Sequence, residues 1–411
     1  MRSAVPRSAL RCQRSSTDSC TSSTSFGGTT SSTVRSQAGP WIAETSAPSV
    51  PMGTSSHPIA PAGHDHPDGH RSDMVCSRSR PSSCIRQNQL VDEATVERTR
   101  TVEQTRDIAH ARELVARAYR THGLQVTAGE EPFSFEETVT GTELLSLEST
   151  KSTGTVRGEV EGDGEVIVAW LKSGRGTVDG DELLVGRPVI YREGRQSFRW
   201  DDFAEDVMRI DRDTVERVAA ERGGWNQAPL EFKPHHVPEG APLAAWWLIV
   251  RSIAGEILGS VGPVSAERER ELTRYAAAGL LTAVPHWPVG QGREAPARTR
   301  LAKAEAFLLD HVPDRITIDD VAAAAGLSVR GLQGAFQRVH GTSPLTYLKG
   351  IRLLLAREQL ESGSAGSVAA VARSVGMHHL SRFASAYRSE FGQLPGEVLR
   401  EASTDRTPVE R

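Results

Sequence analysis

Two short segments of the sequence place arginine, glutamine and serine side chains at helical spacing. The first segment contains Ser328, Arg330, Gln333, Gln337 and Arg338. The second contains Leu380, Ser381, Arg382, Ser385 and Arg388. Arginine and glutamine can form paired hydrogen bonds with guanine and adenine edges, and an apolar side chain can contact a thymine methyl group. These residue types therefore suggest contacts with the bases and phosphates of duplex DNA.

Both segments belong to a pattern that occurs twice, at residues 316–344 and 367–395. Each copy has an alanine-rich helix, a glycine turn, a second amphipathic helix and a Gly-x-x-Pro exit. A helix, a tight turn and a second helix are typical of the helix-turn-helix motif. The sequence predicts one such motif at about residues 316–340 and another at about 367–391.

The second helix of each copy also has an apolar stripe opposite the polar residues. In the first copy the stripe comprises Val329, Leu332, Phe336 and Val339, and in the second Phe383, Tyr387 and Phe391. Spacings of three and four residues place such side chains on one buried face of a helix. The polar face then either contacts DNA or is simply solvated. The repeat favours DNA contact, with Ser328 as the N-cap of the first of these helices.

A third helix is predicted between the two motifs, over about residues 344–360, with Ser343 as N-cap and Pro344 at its first position. Its apolar residues are Leu345, Leu348, Ile351, Leu354, Leu355 and Leu360. A buried, rigid strut would fix the distance between the two motifs. Two motifs about 34 Å apart can enter successive major-groove segments on one side of the DNA.

Composition limits the possible partners and compartment. The chain has 48 Lys and Arg against 52 Asp and Glu, a net charge of -4, so it is not polybasic overall. From Arg298 onward the balance reverses, with 15 basic and 12 acidic residues. Its four cysteines all precede residue 90, and no secretory h-region or membrane-length apolar run occurs. We expect a cytoplasmic protein without a membrane segment.

Residues 1–90 do not resemble a folded domain. They contain 28 serines and threonines and show no lasting periodicity. Such a segment buries too little apolar surface to offset its chain entropy, so we predict a disordered tail. His64, His66 and His70 have the chemistry of metal ligands. Without a fold to organise them they predict no specific metal site, and we expect no cofactor.

Residues 91–225 are predicted to form a β-rich domain. A helix at 105–121 is followed by short β-like runs separated by glycine turns, which favours a β-sandwich or barrel. The runs are 144–147, 155–160, 165–171, 176–178, 182–185, 188–191, 196–200 and 207–210. A helix at about 214–222 ends this domain.

Residues 226–297 are predicted to be a helical extension and linker. A proline-rich connection at 226–242 precedes helices at 243–258 and 265–284, and 285–297 has the composition of an interdomain linker. The first helix is apolar on too many sides to face water. Trp246, Trp247, Ile249, Val250, Ile253 and Ile257 either pack onto the β domain or form a dimer interface.

Nothing in the sequence indicates an enzyme. Residues 123–233 contain neither histidine nor cysteine, which argues against a histidine-based metal centre in the β domain. The folded region has no G-x-S-x-G, P-loop or G-x-G-x-x-G motif. Trp170, Tyr191, Phe198 and Trp200 could line an effector pocket, although core packing is the favoured role for each.

The C-terminal arrangement resembles the AraC/XylS family of bacterial transcription regulators over residues 298–400. The most specific segment is GMHHLSRFASAYRSEFGQLP, which begins at Gly376. Met377 stands where the family usually has phenylalanine, and Gly334 where many members have arginine. Gly331 and Gly334 each cost a helix about 1 kcal/mol relative to alanine.

The resemblance implies sequence-specific promoter binding and activation of transcription through RNA polymerase. The β-rich region is similar to the cupin-like sensor half of such regulators, which implies binding of a small-molecule effector or dimerisation, and we expect a homodimer. The expected fold is therefore multidomain α+β, with a cupin-like domain, a helical extension and an all-α DNA-binding domain. An alternative is a ligand-independent regulator whose N-terminal half serves only oligomerisation or protein–protein interaction.

Overall fold

A computed structural model describes residues 94–162, 164–233, 236–290 and 299–404. The tail at 1–90, with its histidines and cysteines, lies outside the described residues. So does most of the linker expected at 285–297.

Strands predominate in the first part of the described chain, with four helices among them, and the elements after β11 are all helices. The strands are β1 (Thr95–Thr105), β2 (Arg120–Thr127), β3 (Ser134–Gly141), β4 (Leu145–Gly162), β5 (Glu165–Val178), β6 (Asp181–Glu182), β7 (Val189–Ile190), β8 (Gly194–Asp211), β9 (Leu230–Phe232), β10 (Gly262–Ser265) and β11 (His286–Pro288). The helices are α1 (Ile108–Ala118), α2 (Arg212–Gly223), α3 (Gly240–Ile257), α4 (Ala266–Ala283), α5 (Arg300–Asp310), α6 (Ile318–Ala325), α7 (Val329–His340), α8 (Pro344–Glu361), α9 (Val368–Ser374), α10 (Leu380–Phe391) and α11 (Pro395–Thr404).

One antiparallel sheet dominates the N-terminal half, with its strands in the order β10-β1-β3-β4-β8-β5-β6. In addition, β2 pairs with β4 and β7 pairs with β5. The predicted short runs were wrong in length, because six of them merge pairwise into the long strands β4, β5 and β8. The predicted helix at 105–121 was too long, since β1 ends at Thr105 and β2 begins at Arg120. The strands β1, β2 and β3 were not predicted.

Each of the three long strands bends in its middle, and only the bend at Gly174 lies where the sequence predicted a turn. Gly154 in β4, Gly174 in β5 and Asp202 in β8 all have positive φ angles, of 122°, 88° and 43°. The strand register shifts next to these residues. A Cβ atom on Gly174 would lie 2.2 Å from the carbonyl oxygen of Asp202, so only glycine fits there. The amide of Gly154 donates to the Asp202 carboxylate at 2.7 Å, which ties the bend together.

The bend folds the sheet over a hydrophobic cluster. The first half of β4 pairs with β3, whereas its second half pairs with β2. Side chains from both halves, including Phe135, Val156, Trp200 and Phe203, pack with α1 in one cluster. The expected β domain is thus present as a bent antiparallel sheet, and its specific likeness to a cupin stays a prediction.

Helices cover the opposite face of the sheet. Along β5, Val166, Val168 and Trp170 point towards α2, α3 and α4. The Trp170 ring packs edge-on against Trp246 and Trp247 of α3, with centroid distances of 6.4 and 5.2 Å. All six apolar residues singled out on α3 are at most 1% exposed. Packing onto the β domain is thus confirmed for Trp246 and Trp247. A dimer interface is wrong for all six, because side chains of this chain already cover them.

The same helix also packs against the predicted strut, α8. A Cβ atom on Gly350 of α8 would lie 2.9 Å from Leu248 of α3, so the absence of a side chain at Gly350 permits this close approach. The two segments that were expected to be a connection and a linker, before α3 and after α4, also contain strands. Strands β9 and β11 pair within the segments predicted to be a proline-rich connection and a linker.

Within the described ranges, no helix combines the length and apolar character that crossing a membrane requires.

A buried charged cluster joins the helices of the two halves. Glu305 of α5 accepts hydrogen bonds from Arg222 of α2 and lies 2.8 Å from Nε2 of His340 at the end of α7. Arg222 also donates to Thr282 of α4 at 3.0 Å. Burial by itself raises the pKa of Glu305, but the charge of Arg222 and the hydrogen bond with His340 outweigh it and lower the pKa to about 2.

We expect Glu305→Gln to destabilise the folded protein by about 3–5 kcal/mol at pH 7, because Arg222 would then lack its buried counter-charge. Denaturant titration of the full chain measures this loss. Glu221→Gln is the matched control. It breaks the pair with Arg274, whose two side chains are about half exposed, and such pairs contribute about 0–1 kcal/mol.

The same substitution should alter the response to acid. The Glu305 carboxylate stabilises the fold above its unfolded pKa near 4.5, and this contribution is lost as the pH falls through about 2. The wild-type protein should therefore lose more stability between pH 5 and pH 3 than Glu305→Gln does. Equal acid sensitivity would contradict the assigned role of this carboxylate.

Candidate nucleic-acid interface

The first helix pair consists of α6 and α7 and is held by local capping interactions. The Thr317 amide donates to the Asp320 carboxylate at 2.7 Å, while the Thr317 hydroxyl accepts from the Asp320 amide. This reciprocal capping box fixes the start of α6. Gly326 ends α6 with a φ of 64°, a left-handed conformation that suits glycine.

The helix α7 begins as expected at Ser328. The Ser328 hydroxyl accepts a hydrogen bond from the Gly331 amide at 3.2 Å, which satisfies one of the free amides of the first turn. Leu332 and Phe336 are fully buried, and Val329 and Val339 are half-buried. The predicted apolar stripe is therefore confirmed. His340 extends it and pairs with Glu305.

The opposite side of α7 faces solvent. Arg330, Gln333, Gln337 and Arg338 are all exposed. The two glycines on this side differ in their surroundings. A Cβ atom on Gly331 would lie 3.2 Å from the Ser328 hydroxyl, whereas one on Gly334 would meet Arg338 at an ordinary 3.5 Å. An alanine at position 334 would therefore fit beside the Arg338 side chain without displacing it.

The second helix pair, α9 and α10, repeats this arrangement with different local contacts. The Ser367 hydroxyl caps α9 by accepting from the Ala370 amide at 3.1 Å. Gly376 forms the turn with a φ of 74°, and a Cβ atom there would lie 2.7 Å from the carbonyl oxygen of Pro313. The turn is thus pressed against the segment between α5 and α6. His379 precedes α10 without forming a side-chain cap.

The helix α10 separates its apolar and polar residues in the predicted way. Phe383 and Tyr387 are fully buried and Phe391 is half-buried. The exposed residues include all five candidates, namely Leu380, Ser381, Arg382, Ser385 and Arg388. Leu380 has 47% of its surface exposed, which is consistent with an apolar contact to a partner rather than with a core role.

The strut α8 connects the two pairs. It begins at Pro344 after the predicted cap Ser343, and most of its apolar residues are buried. Leu345 is an exception, with 39% exposure, because it lies in the first turn of the helix. Arg352 donates to the carbonyl oxygens of Val312 and Asp314 at 2.8 and 2.6 Å. These bonds fix the strut to the segment that Gly376 also contacts.

Four arginines lie on the two candidate faces, two on each helix. In the part of the chain that the structure describes, Arg330, Arg338, Arg382 and Arg388 have no ion-pair partner. By contrast, Arg357 pairs with Glu361 at 2.6 Å. Uncommitted guanidinium groups can bind phosphate oxygens or guanine edges without first breaking an internal bond.

Two neighbouring histidines were not assigned a role from the sequence. His378 and His379 are exposed in the turn immediately before α10, next to Leu380. Their position just after the glycine turn, next to the candidate Leu380, was the sequence signal that could have added them to the candidate interface. The C-terminal helix α11 was also not predicted. Its Val398 packs with Phe383 and Tyr387, so it completes the core of the second pair.

The aromatic candidates of the N-terminal half separate into two groups. Tyr191, Phe198 and Trp200 line a cavity on the concave side of the bent sheet. Trp170 lies on the other side of the sheet, against α3. Core packing is therefore confirmed for Trp170, while the other three combine core packing with a place in the cavity wall.

Comparisons with known proteins locate a family match in the C-terminal part. A family model described as a helix-turn-helix domain matches residues 321–401. The chain is 40% identical over 96 residues to the probable thc operon regulatory protein of Rhodococcus erythropolis, covering 23% of this chain and 29% of that protein. It is 34% identical over 101 residues to the XylDLEGF operon transcriptional activator of Pseudomonas putida, covering 24% and 32%.

Among solved structures, a probable AraC family transcriptional regulator from Rhodopseudomonas palustris is 36% identical. The match covers 25% of this chain and 96% of that one, with a TM-score of 0.24. The chain spans about a third of the length of the two curated relatives described above. Those relatives are named as regulators of transcription and not as enzymes.

The matched residues include the helices α7 and α10, the strut α8 between them and the segment that begins at Gly376. The resemblance drawn from the sequence is therefore confirmed for this part of the chain: its C-terminal helices form a helix-turn-helix domain of the AraC/XylS family.

Proposed function

We propose that this protein is a sequence-specific DNA-binding regulator of transcription that acts in the cytoplasm. The observation that carries the proposal is the pair of exposed faces on α7 and α10, each with two arginines that have no ion-pair partner in the described part of the chain. Both helices are held from behind by buried aromatic residues and joined by one strut. A duplex is the partner that such paired helices fit.

Different residues serve positioning and specificity in this proposal. Arg330 and Gln333 lie in the first half of α7, where recognition helices approach base edges. Gln337 and Arg338, farther along, are placed to contact the phosphate backbone, and Ser328 holds the first turn. On α10, Arg382 and Ser385 are the corresponding base-edge candidates. Ser381 and Arg388 flank them, and Leu380 can contact a thymine methyl group.

The remaining features of the function are extensions of this proposal. Activation through RNA polymerase is supported by the word activator in the name of the Pseudomonas putida relative. A sensing role for the N-terminal half is supported by the cavity inside the bent sheet. The protein would bind DNA as a homodimer, and surfaces other than the buried α3 residues would form the contact.

In the alternative, the N-terminal half serves only assembly or protein–protein interaction and binds no effector. DNase footprinting with and without candidate metabolites separates the two. A footprint that responds to none of them would favour the alternative, and a footprint that changes with one would exclude it.

Arg382→Ala should weaken binding to a cognate duplex by about 1–3 kcal/mol, because it removes a charged donor from the α10 face. The duplex is one selected by the wild-type protein from a random pool, and fluorescence anisotropy at physiological salt measures the affinity. Arg112→Ala is the control, since Arg112 is an exposed arginine of α1, far from the DNA-binding helices in sequence. Unchanged affinity for Arg382→Ala would remove the α10 face from the interface.

Arg330→Ala should change sequence preference more than Lys349→Ala does. Arg330 lies at the start of α7, whereas Lys349 is an exposed cation of the strut. Loss of a base contact relaxes preference at one position, whereas loss of a phosphate contact weakens all sequences about equally. Repeating the selection from the random pool with each variant gives the measurement. Identical selected motifs from both variants would rule out a base contact by Arg330.

A further inference from the structure

The cavity on the concave side of the bent sheet has an unusual wall. Its volume is about 40 Å³, enough for a group of a few heavy atoms. Most of the wall is apolar or aromatic, as expected for a small-molecule site. Two carboxyl groups interrupt it, Glu137 from β3 and Glu205 from β8.

Both carboxyl groups are buried without a counter-charge. Glu137 is 6% and Glu205 is 8% exposed. Within the described residues neither has an ion-pair partner, and the Oε2 atom of Glu205 has no hydrogen-bond donor. A buried ionised group without a partner is strongly disfavoured. The fold therefore leaves Glu205 to be neutralised either by a proton or by a bound cation.

Nearby charged groups cannot supply the missing partner, because they are already paired with one another. Glu148 of β4 forms a 2.5 Å ion pair with Arg209 of β8 and accepts a hydrogen bond from the Tyr119 hydroxyl at 2.8 Å. Asp206 pairs with Lys172 of β5 at 2.6 Å. Each basic group is thus held by another carboxylate.

Without a bound cation, a proton neutralises Glu205. Burial raises the pKa of Glu205 to about 8, and the charges of Glu148, Asp206 and Glu137 add to the effect, whereas Lys172 lowers it. Burial, followed by the charge of Glu148, also raises the pKa of Glu137. The other titratable groups that interact with Glu205 are Tyr119 and Tyr191, whose own pKa values burial raises well above 10.

A metal ion does not suit this wall. Nowhere in the described ranges do three His, Cys, Asp or Glu side chains come close enough together to hold one. The aromatic side chains of Tyr191, Phe198 and Trp200 instead line the cavity together with the two carboxyl groups. Rings and a carboxylate together are the combination that stabilises organic cations.

We propose that this cavity binds a small organic cation, an ammonium or amidinium group on a short apolar body, with Glu205 as its counter-ion. Glu137 provides a second carboxyl group, and the three aromatic side chains enclose the apolar body. On binding, the cation enters with its charge and Glu205 releases one proton, so charge balances. This inference names the ligand class of the proposed sensor half and therefore rests on the proposed function. Binding to the cavity can nevertheless be tested without DNA.

The test is isothermal titration calorimetry of the full chain with n-propylammonium, n-propanol and butyrate, which share an apolar body and differ in charge. We expect n-propylammonium to bind with a dissociation constant on the order of 1 mM. The ligand stays charged at neutral pH, as a lysine side chain does. Below pH 7, the affinity should increase about tenfold for each unit by which the pH is raised, because the cation competes with the proton on Glu205. Titrations in buffers of different ionisation enthalpy should show the released proton.

Two variants decide the role of the carboxyl group. Glu205→Gln, nearly isosteric with the protonated side chain, should bind n-propylammonium at least about tenfold more weakly and release no proton. Glu136→Gln is the matched control, because Glu136 is exposed and adjoins Glu137 on the other face of β3. Its binding should equal that of the wild type. A melting curve of each variant confirms that it is folded.

Three results would overturn the proposal: no heat of binding for n-propylammonium, n-propanol binding as tightly as n-propylammonium, or unaltered binding by Glu205→Gln. The second result would indicate a neutral ligand that hydrogen-bonds to a protonated Glu205. None of these results affects the DNA titrations of Arg382→Ala. A failure of the cation site is thus distinguishable from a failure of the proposed DNA-binding function.

Discussion

The contact between α3 and α8 is the constraint on which the arrangement of this protein depends. Leu248 of α3 lies where a side chain on Gly350 of α8 would clash, so Gly350 lets the Leu248 side chain pack directly against the backbone of α8. The helix α8 is also the strut between the two DNA-binding helix pairs. A contact with the middle of the strut therefore fixes the N-terminal half relative to both pairs at once.

The two pairs are nevertheless attached to the N-terminal half by different forces. The first shares a hydrophobic core with it, since Leu332, Phe336 and Ile351 belong to the same buried cluster as α3, α4 and the sheet. The second has its own core around Phe383 and Tyr387. Its side-chain links to α3 come from Arg251, which forms a 3.1 Å ion pair with Glu390 and lies 5.3 Å from the centroid of the Phe391 ring. Phe391 also packs at the edge of the first cluster. Exposed ion pairs contribute little free energy and are screened by salt, whereas a shared core resists separation.

Local sequence signals predicted the C-terminal domain well and the sheet poorly. Ser328, Gly326 and Pro344 act through their own backbone and nearest neighbours, so their roles as cap, turn and helix start could be inferred from the sequence alone. The stripes on α7 and α10 follow from spacing on one helix. In the sheet, Gly174 was interpreted as a turn because glycine favours both turns and bulges. Only the pairing partner, remote in sequence, decides between them.

The candidate sites show the same division. The polar faces of α7 and α10 could be listed from the sequence, because each lies on a single helix. The cavity could not, because its two carboxyl groups come from β3 and β8, which are about 70 residues apart and meet only through the bend. Their lack of partners depends on which neighbours Arg209 and Lys172 pair with, and no local pattern encodes that choice.

The sheet connects the cavity to the helices because both faces of its central strands are buried. On β8, Glu205 and Val207 line the cavity, while Met208 and Ile210 point to the helical layer. On β5, Leu171 lies on the concave side, while Trp170 packs on Trp247 of α3. A displacement of these strands would therefore move side chains that contact α3, and α3 contacts α8 through Leu248. The first helix pair is part of this continuous core, whereas the second meets it through Phe391 at its edge.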